Sequence, residues 1–295
     1  MMEVRVKDTM DVPPQIMESI ELVRKRLSGM GDVDFIDKDL TGPATHLINS
    51  GGKLVRPGLV FTSACVLNQD PRKFVDLAAS IELLHTASLI HDDIVDRDRL
   101  RRGLDTVHEK YGIEKAILAG DALISKAINM ASSYGERVVK RAAEVSMDMC
   151  AGEILDYETQ FGKSQLGIDA YLKVARLKTA SLIAVSTSIV ADFLDSGMRD
   201  TLYEYGMRLG YAFQIRDDIM NFLGINDRSR KDTKTDAKNS RPNLVSVLMP
   251  RYELGAAMEA VKINNHYLES AKDIVKGIHN NDYLASYAEF LKIEI

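Results

Sequence analysis

The spacing of hydrophobic and polar positions predicts a chain built almost entirely from α-helices. Apolar residues recur every three to four positions, which is the period of an α-helix, and the period-two alternation of half-buried strands is nearly missing. Seven prolines stand at or between the periodic segments, where helix breakers are expected. The predicted helices cover residues 14–29, 33–49, 55–67, 73–96, 113–132, 134–161, 167–194, 199–223, 242–252, 253–274 and 281–293.

Two predicted helices are apolar around most of their circumference, as is typical of helices at the centre of a bundle. They are FVDLAASIELLHTASLIHDDIVD (74–96) and YGMRLGYAFQIRDDIMNF (205–222), and each ends near a pair of adjacent aspartates. No internal repeat or low-complexity run divides the chain, so we predict one all-α domain over residues 1–295. The charged stretch 224–241 is long for a loop, and such stretches are usually functional or disordered.

Composition narrows the possible classes of protein. A chain of 295 residues with 45% hydrophobic content is long enough to bury a large core. The formal net charge of -5 comes from interleaved acidic and basic residues, which does not suggest nucleic-acid binding. Only two cysteines are present and we see no secretory leader, so we expect a cytoplasmic protein. The apolar run 182–194 is shorter than the roughly 20 residues of a membrane span, and we expect no stable membrane insertion.

The aspartate pairs have a spacing that suits a hard metal ion. Asp92 and Asp96 lie one turn apart on one helix face, with Asp93 beside them. The second helix repeats the pattern with Asp217, Asp218 and Asn221. Carboxylates this close repel one another unless a cation bridges them, and a set of oxygen ligands favours magnesium, which usually completes its coordination with substrate phosphates. Either motif alone is more often a solvated helix end, but the two together favour one shared metal site.

Basic residues that could bind a diphosphate occur in several segments. GGKLVRP (51–57) places Lys53 and Arg56 at the start of a predicted helix, where backbone amides also favour anions. Arg101 and Arg102 follow the first aspartates within two turns. Further basic residues stand in RLKTASL and in the charged stretch, namely Lys178, Lys231 and Arg241. Each alone is more often a solvated surface charge, and only the combination predicts a diphosphate site.

These segments together resemble a known family. GGKLVRP, ELLHTASLIHDDIVDRDRLRRG, LAGDALIS, LKTASL and FQIRDDIMN occur in the order and at about the spacing found in trans-isoprenyl (E-polyprenyl) diphosphate synthases, particularly the geranylgeranyl and geranylfarnesyl diphosphate synthases. The resemblance implies an all-α homodimer of isoprenoid synthase type, with a helical bundle around a central apolar cavity. It also implies a prenyltransferase that condenses isopentenyl diphosphate with an allylic diphosphate by ionisation, condensation and elimination.

The resemblance also assigns roles to individual residues. It implies that Asp92, Asp96 and Asp217 bind three magnesium ions directly, and that Asp93 and Asp218 support them largely through water. The implied binding residues for the allylic diphosphate are Arg101, Lys178 and Lys231. Those for isopentenyl diphosphate are Lys53, Arg56, His85 and Arg102. Thr179 and Gln214 match residues that lie beside the reacting carbons.

Several positions depart from the family pattern. Asn221 replaces an aspartate, which is expected to weaken magnesium binding, and Glu153 replaces a common glutamine. Leu54 stands where arginine is common, and SRPN (240–243) replaces a Gly-Lys-x-Thr signature while Arg241 keeps the charge. A poorly active or regulatory subunit of a heteromeric synthase is therefore one alternative.

Two other reactions are further alternatives. A class I terpene cyclase shares the aspartate-rich site and the helical cavity, but it needs no pocket for isopentenyl diphosphate. A phosphohydrolase with paired metals would release phosphate without consuming isopentenyl diphosphate.

The residues before the first aspartates bear on product length. In the family, a bulky aromatic four or five positions upstream closes the cavity early and gives short products, and here those positions are Ser88 and Ala87. The floor of the cavity should then lie at least one turn deeper, near Leu84 or Ile81, about 5 Å further along the helix. We predict a product longer than fifteen carbons, of twenty or twenty-five.

Overall fold

The computed structural model describes residues 5–6, 13–161, 167–224, 243–252 and 255–294. Its first helices are α1 (Pro14–Ser28), α2 (Asp32–Phe35), α3 (Lys38–Asn49), α4 (Val55–Val66), α5 (Val75–Asp96), α6 (Val107–Tyr111), α7 (Ile113–Ser132) and α8 (Glu136–Phe161). The remaining helices are α9 (Ile168–Ala175), α10 (Ser181–Leu194), α11 (Arg199–Phe222), α12 (Leu244–Tyr252), α13 (Ala256–Val275) and α14 (Asn281–Leu291). A 3₁₀ turn (Pro71–Phe74) precedes α5, and a π-helical turn (Arg176–Ala180) joins α9 to α10.

The predicted fold class is confirmed, with local differences in helix boundaries. The helix predicted over 33–49 is broken, because Ile36 has a φ of 70° and so interrupts the helical hydrogen bonds between α2 and α3. The side chain of Asp37 then caps α3 by accepting a hydrogen bond from the backbone N–H of Asp39, 2.6 Å away. Pro43 and Pro250 lie inside helices, so the prediction that the prolines stand at or between the helices is wrong for these two.

The centre of the bundle is formed by α5 and α10. Most of α5 is buried, and it packs against α7, α4 and α1, which confirms the central position predicted from its apolar circumference. Every residue of α10 from Ser181 to Asp192 is buried. The helix α10 packs against α11, which in turn packs against α13. The two helices that carry the aspartate pairs thus both pack against the most buried helix, α10.

The segment Ile168–Leu194 is longer than the apolar run considered in the sequence, because α9, the π turn and α10 form one continuous helix. Among the described residues it alone is long and apolar enough to cross a membrane by length and composition. Within the protein, 78% of its most apolar window is buried, so its apolar composition is that of a core helix.

A small hairpin follows α5, which the hydrophobic pattern did not predict. Strands β2 (Leu100–Arg101) and β3 (Leu104–Asp105) pair antiparallel, with Arg101 opposite Leu104. The two residues between them, Arg102 and Gly103, have φ values of 54° and 77°, as a type I′ turn requires. Because Arg101 lies in a strand and Arg102 in the turn, the hairpin directs these neighbouring arginines to different partners. A second antiparallel pair joins β1 (Arg5–Val6) to β4 (Ile293–Glu294).

Candidate active site

The first aspartate motif occupies the last turn of α5. Asp93 and Asp96 are buried, and the side chain of Asp92 is only 17% exposed. The C-terminal end of a helix bears a partial negative charge, which adds to the mutual repulsion of the three carboxylates. This helix end is therefore stable only if cations lie close to it.

Arg101 supplies one of these cations. Its Nε lies 2.7 and 2.9 Å from the two carboxylate oxygens of Asp93, and its Nη2 lies 2.6 Å from Oδ1. The pair is almost fully buried, with side-chain exposures of 11% for Arg101 and 1% for Asp93. Burial lowers the pKa of Arg101, but the contact with Asp93, together with the charges of Asp92 and Asp98, outweighs burial and holds the pKa above its ordinary value. Arg101, predicted to bind the allylic diphosphate, is thus held at the first aspartate motif by Asp93.

Lys178 supplies the second cation, from the π-helical turn. Such turns are rare and frequently occur at functional sites. The Nζ atom lies 2.7 Å from Oδ2 of Asp156 and 4.0 Å from Oδ2 of Asp92, and it also forms an ion pair with Glu153. Burial lowers the pKa of Lys178, but the three carboxylates outweigh burial and hold it above its ordinary value. One ammonium group therefore joins the end of α5 to α8 and to the π turn.

Close approach of two backbones makes this cluster possible. A Cβ atom at Gly152 would lie 2.5 Å from the backbone nitrogen of Lys178 and 2.8 Å from the carbonyl carbon of Leu177, so α8 touches the π turn only because residue 152 is glycine. Burial, followed by the charge of Asp92, raises the pKa of Glu153 to about 7. Glu153, which the sequence marks as a departure from the family, is therefore part of the cluster around Lys178.

The donor set of this cluster fits a hard divalent cation. No group of three or more His, Cys, Asp or Glu side chains is preassembled as a metal site within the described ranges. Instead the ammonium of Lys178 stands among carboxylates from α5 and α8, which shows that this position attracts positive charge. Carboxylate oxygens are the ligands that magnesium prefers. Of the predicted magnesium ligands Asp92, Asp96 and Asp217, the structure places Asp92 in this cluster.

The second aspartate motif contains one carboxylate bound entirely by protein groups. The buried Asp218 accepts hydrogen bonds from Nε2 of Gln214 at 2.9 Å, from the hydroxyl of Tyr171 at 2.7 Å and from the backbone N–H of Leu244 at 2.9 Å. Burial raises its pKa to about 6. Since both of its oxygens accept hydrogen bonds from protein groups, Asp218 ties α9, α11 and α12 together, and its predicted support of magnesium through water stays a prediction.

The two residues predicted to flank the reacting carbons contact each other. Thr179 donates a hydrogen bond to Oε1 of Gln214 at 2.7 Å, so Gln214 links the π turn to Asp218. Asp217, in the same turn of α11, is half-buried. Because Thr179 is adjacent to Lys178, the π turn connects the first aspartate motif to the second.

A second basic cluster lies around His85. Arg102 donates hydrogen bonds to the carbonyl of Gly51 and to Oγ of Ser50, the latter at 3.3 Å, which brings the hairpin turn onto the Gly-Gly segment. Burial lowers the pKa of Arg56 to about 10. Burial, followed by the charges of Arg56 and Arg102, holds the pKa of His85 well below its ordinary value. His85 is therefore a neutral hydrogen-bonding group among arginines.

The remaining predicted residues are more widely placed. Lys53 is exposed just before α4. Ala87 and Leu84 are buried in α5, and Ser88 is half-buried, with its Oγ donating to the carbonyl of His85 at 2.8 Å. Lys231 lies outside the described residues.

Sequence reasoning missed three residues that the structure brings to these clusters: Asp156, Tyr171 and Glu82. The spacing of Glu153 and Asp156 in GEILD, which puts both acids on one helix face, could have identified Asp156. No local signal distinguishes Tyr171, whose partner Asp218 lies on α11, or Glu82, whose surrounding charges come from other segments of the chain.

A helical bundle with two aspartate-rich helix ends and two basic clusters defines the class of the helical prenyltransferases. Residues 37–277 match the polyprenyl synthetase family, and the chain belongs to that family. It is a trans-prenyltransferase that elongates isoprenyl diphosphates, and the family uses a divalent metal ion.

Individual relatives agree with this assignment. Geranylgeranyl pyrophosphate synthase of Geoglobus acetivorans is 35% identical over 73% of this chain and 69% of its own length. Geranylfarnesyl diphosphate synthase of Methanosarcina mazei is 38% identical over 64% of each chain. A polyprenyl synthase of Caulobacter crescentus CB15, solved with calcium and isoprenyl diphosphate, has a TM-score of 0.80 at 26% identity, over 94% of each chain. The names of other relatives range from short chain isoprenyl to solanesyl diphosphate synthases.

Proposed function

We propose that this chain condenses isopentenyl diphosphate with an allylic diphosphate to give an all-trans product of twenty to twenty-five carbons. The observation that supports this length is the small buried side chain of Ala87, five residues before Asp92. The next large apolar side chain on this part of the helix is Leu84, which is also buried and roughly 5 Å deeper along α5. The named products of two relatives, geranylgeranyl and geranylfarnesyl diphosphate, fall in the same range.

Different residues of this chain would serve different parts of the reaction. Three magnesium ions held by Asp92, Asp96 and Asp217 would neutralise the charge that develops on the leaving diphosphate. Arg101, which is held by Asp93 of the first motif, and Lys178, which is held by Glu153 and Asp156 of α8, would add positive charge at the same place. The surrounding apolar helices exclude water, which would otherwise capture the allylic cation.

We also propose that the active form is a homodimer. Large apolar side chains are exposed on α7 and α8, including Leu118 at 59% and Ile154 at 61%. A second copy of the chain would cover such side chains, which monomeric proteins rarely expose in groups. Sedimentation analysis of the purified chain, with Leu118→Glu for comparison, would test this. A wild-type chain that is monomeric would contradict the homodimer. A Leu118→Glu variant that dimerises as well as the wild type would contradict the use of this surface.

Product analysis tests the proposed reaction. The purified chain is incubated with magnesium, labelled isopentenyl diphosphate and allylic primers of five, ten or fifteen carbons, and the products are dephosphorylated and sized. Chains of twenty to twenty-five carbons are expected, and a clean fifteen-carbon end product would refute the proposed length. Failure of the chain alone to consume isopentenyl diphosphate would favour a subunit of a heteromeric enzyme. Cyclised products would favour a terpene cyclase.

A further inference from the structure

Lys178 stands among more negative charge than one ammonium group can neutralise. Its Nζ lies 2.7 Å from Oδ2 of Asp156 and 4.0 Å from Oδ2 of Asp92, and it forms an ion pair with Glu153. None of these four side chains is more than 21% exposed, so water and salt screen the charges only partly. Three carboxylates around one ammonium leave the cluster with a net negative charge.

This negative charge opposes the anion that Lys178 is predicted to bind. A metal-free diphosphate carries several negative charges and would be repelled by the carboxylates beside the ammonium. Lys178 would also have to move away from these acids, and breaking a partly buried ion pair is costly because the remaining charges stay poorly solvated. Both obstacles fall when a divalent cation is bound at the carboxylates, because the acids then keep a counter-charge.

Glu153 is the acid of this cluster whose contribution can be tested separately. Asp92 is a predicted magnesium ligand, and Asp156 accepts the hydrogen bond that holds the ammonium at 2.7 Å. Glu153 adds a further ion pair to the same nitrogen from the same helix, α8. The close contact of Gly152 with the backbone of Lys178 fixes this part of α8 against the π turn. Without the charge of Glu153, Lys178 therefore keeps its place and loses part of the surrounding negative charge.

We propose that Glu153 makes diphosphate binding at Lys178 depend on a divalent cation, because its carboxylate retains the ammonium and repels a metal-free diphosphate. The proposal rests on the proposed function, which assigns Lys178 to the allylic diphosphate. Glu153 acts through Lys178 and is in this sense a positioning residue. The site would thereby discriminate between a diphosphate with its metal and a diphosphate without it.

The substitution Glu153→Gln removes the charge and keeps the shape. Calorimetric titration of inorganic pyrophosphate in EDTA measures the site without metal and without turnover. The titration is run at about pH 8, because burial, followed by the charge of Asp92, raises the pKa of Glu153 to about 7 and the wild-type carboxyl must be ionised. We expect the variant to bind metal-free pyrophosphate about tenfold more tightly than wild type. With saturating magnesium the two affinities should agree within about twofold, because the cation neutralises the carboxylates.

Binding of magnesium alone gives a second readout, with the opposite sign. Fewer negative charges lower the affinity of a site for a divalent cation, so Glu153→Gln should bind magnesium about threefold more weakly than wild type. A purely structural defect would weaken the binding of both ions, whereas the proposal predicts a gain for one and a loss for the other. The control is Glu158→Gln, an exposed acid on the same helix, which should change neither affinity.

The outcomes separate the proposal from its premise. Metal-free pyrophosphate that binds the variant no more tightly than wild type, or that binds neither protein, would overturn the role of Glu153. Wild type that fails to bind pyrophosphate even with magnesium would overturn the diphosphate site as well. Wild type that binds it but forms no prenyl product would count against the proposed function alone. If Glu153→Gln does not fold, the uncharged Glu153→Met decides: the same tightening is expected, and its absence overturns the proposal.

Discussion

The ion pair between Arg101 and Asp93 should stabilise the folded protein far more than an exposed pair of the same type. Replacing Arg101 by glutamine leaves a carboxylate that is 1% exposed without its bidentate partner. Removing one member of a buried pair costs about 3–5 kcal/mol, because the remaining charge stays in a poorly solvated site. We therefore expect Arg101→Gln to lower the free energy of unfolding by an amount in this range.

A double-mutant cycle isolates the pair from the other contacts of Asp93. Asp93→Asn and the double variant complete the cycle, and the expected coupling energy is about 2–3 kcal/mol. Unfolding is measured by urea titration in metal-free buffer, so that divalent ions at Asp92 and Asp96 do not contribute. The exposed pair Arg137–Asp195, with side-chain exposures of 62% and 76%, serves as the control and should show a coupling below about 1 kcal/mol. A similarly small coupling for Arg101 and Asp93 would refute the argument that burial makes this pair strong.

Three further substitutions test other parts of the site. Asp92→Ala should lower magnesium-dependent consumption of isopentenyl diphosphate by about a hundredfold or more, and a variant with full rate would contradict the metal-site prediction. Gly152→Ala should lower both kcat and Tm, because its Cβ would lie 2.5 Å from the backbone nitrogen of Lys178. The control is Ala151→Ser, at the exposed neighbouring position. If the two variants had equal kcat and Tm, α8 would be able to move away from the π turn, and the prediction would be wrong. Ala87→Phe should shorten the product in the labelled-primer assay at a cost of about 1–3 kcal/mol for overpacking, and an unchanged chain length would remove Ala87 from the cavity wall.

Much of the fold could be predicted because an α-helix is determined locally. Backbone hydrogen bonds within one segment set its period, so the spacing of apolar residues was enough to place α5 at the centre. The same regular geometry puts Asp92 and Asp96 on one face wherever the helix lies. The elements that were missed are short. Strands of two residues show no period, and the break at Ile36 rests on one positive φ that no preference of isoleucine predicts.

The sequence by itself determined the helices, the family and the residue types that the reaction needs. Only the tertiary structure decided which charges neutralise one another. Lys178 lies far along the chain from Asp92 and Asp156, yet packing of the π turn against α8 and α5 brings all three together. Asp218 acquires its hydrogen-bond partners in the same way, from α9 and from the start of α12. The reason is physical: a charge that packing removes from water must find its counter-charge in whichever segment packs beside it, and sequence spacing does not specify that segment.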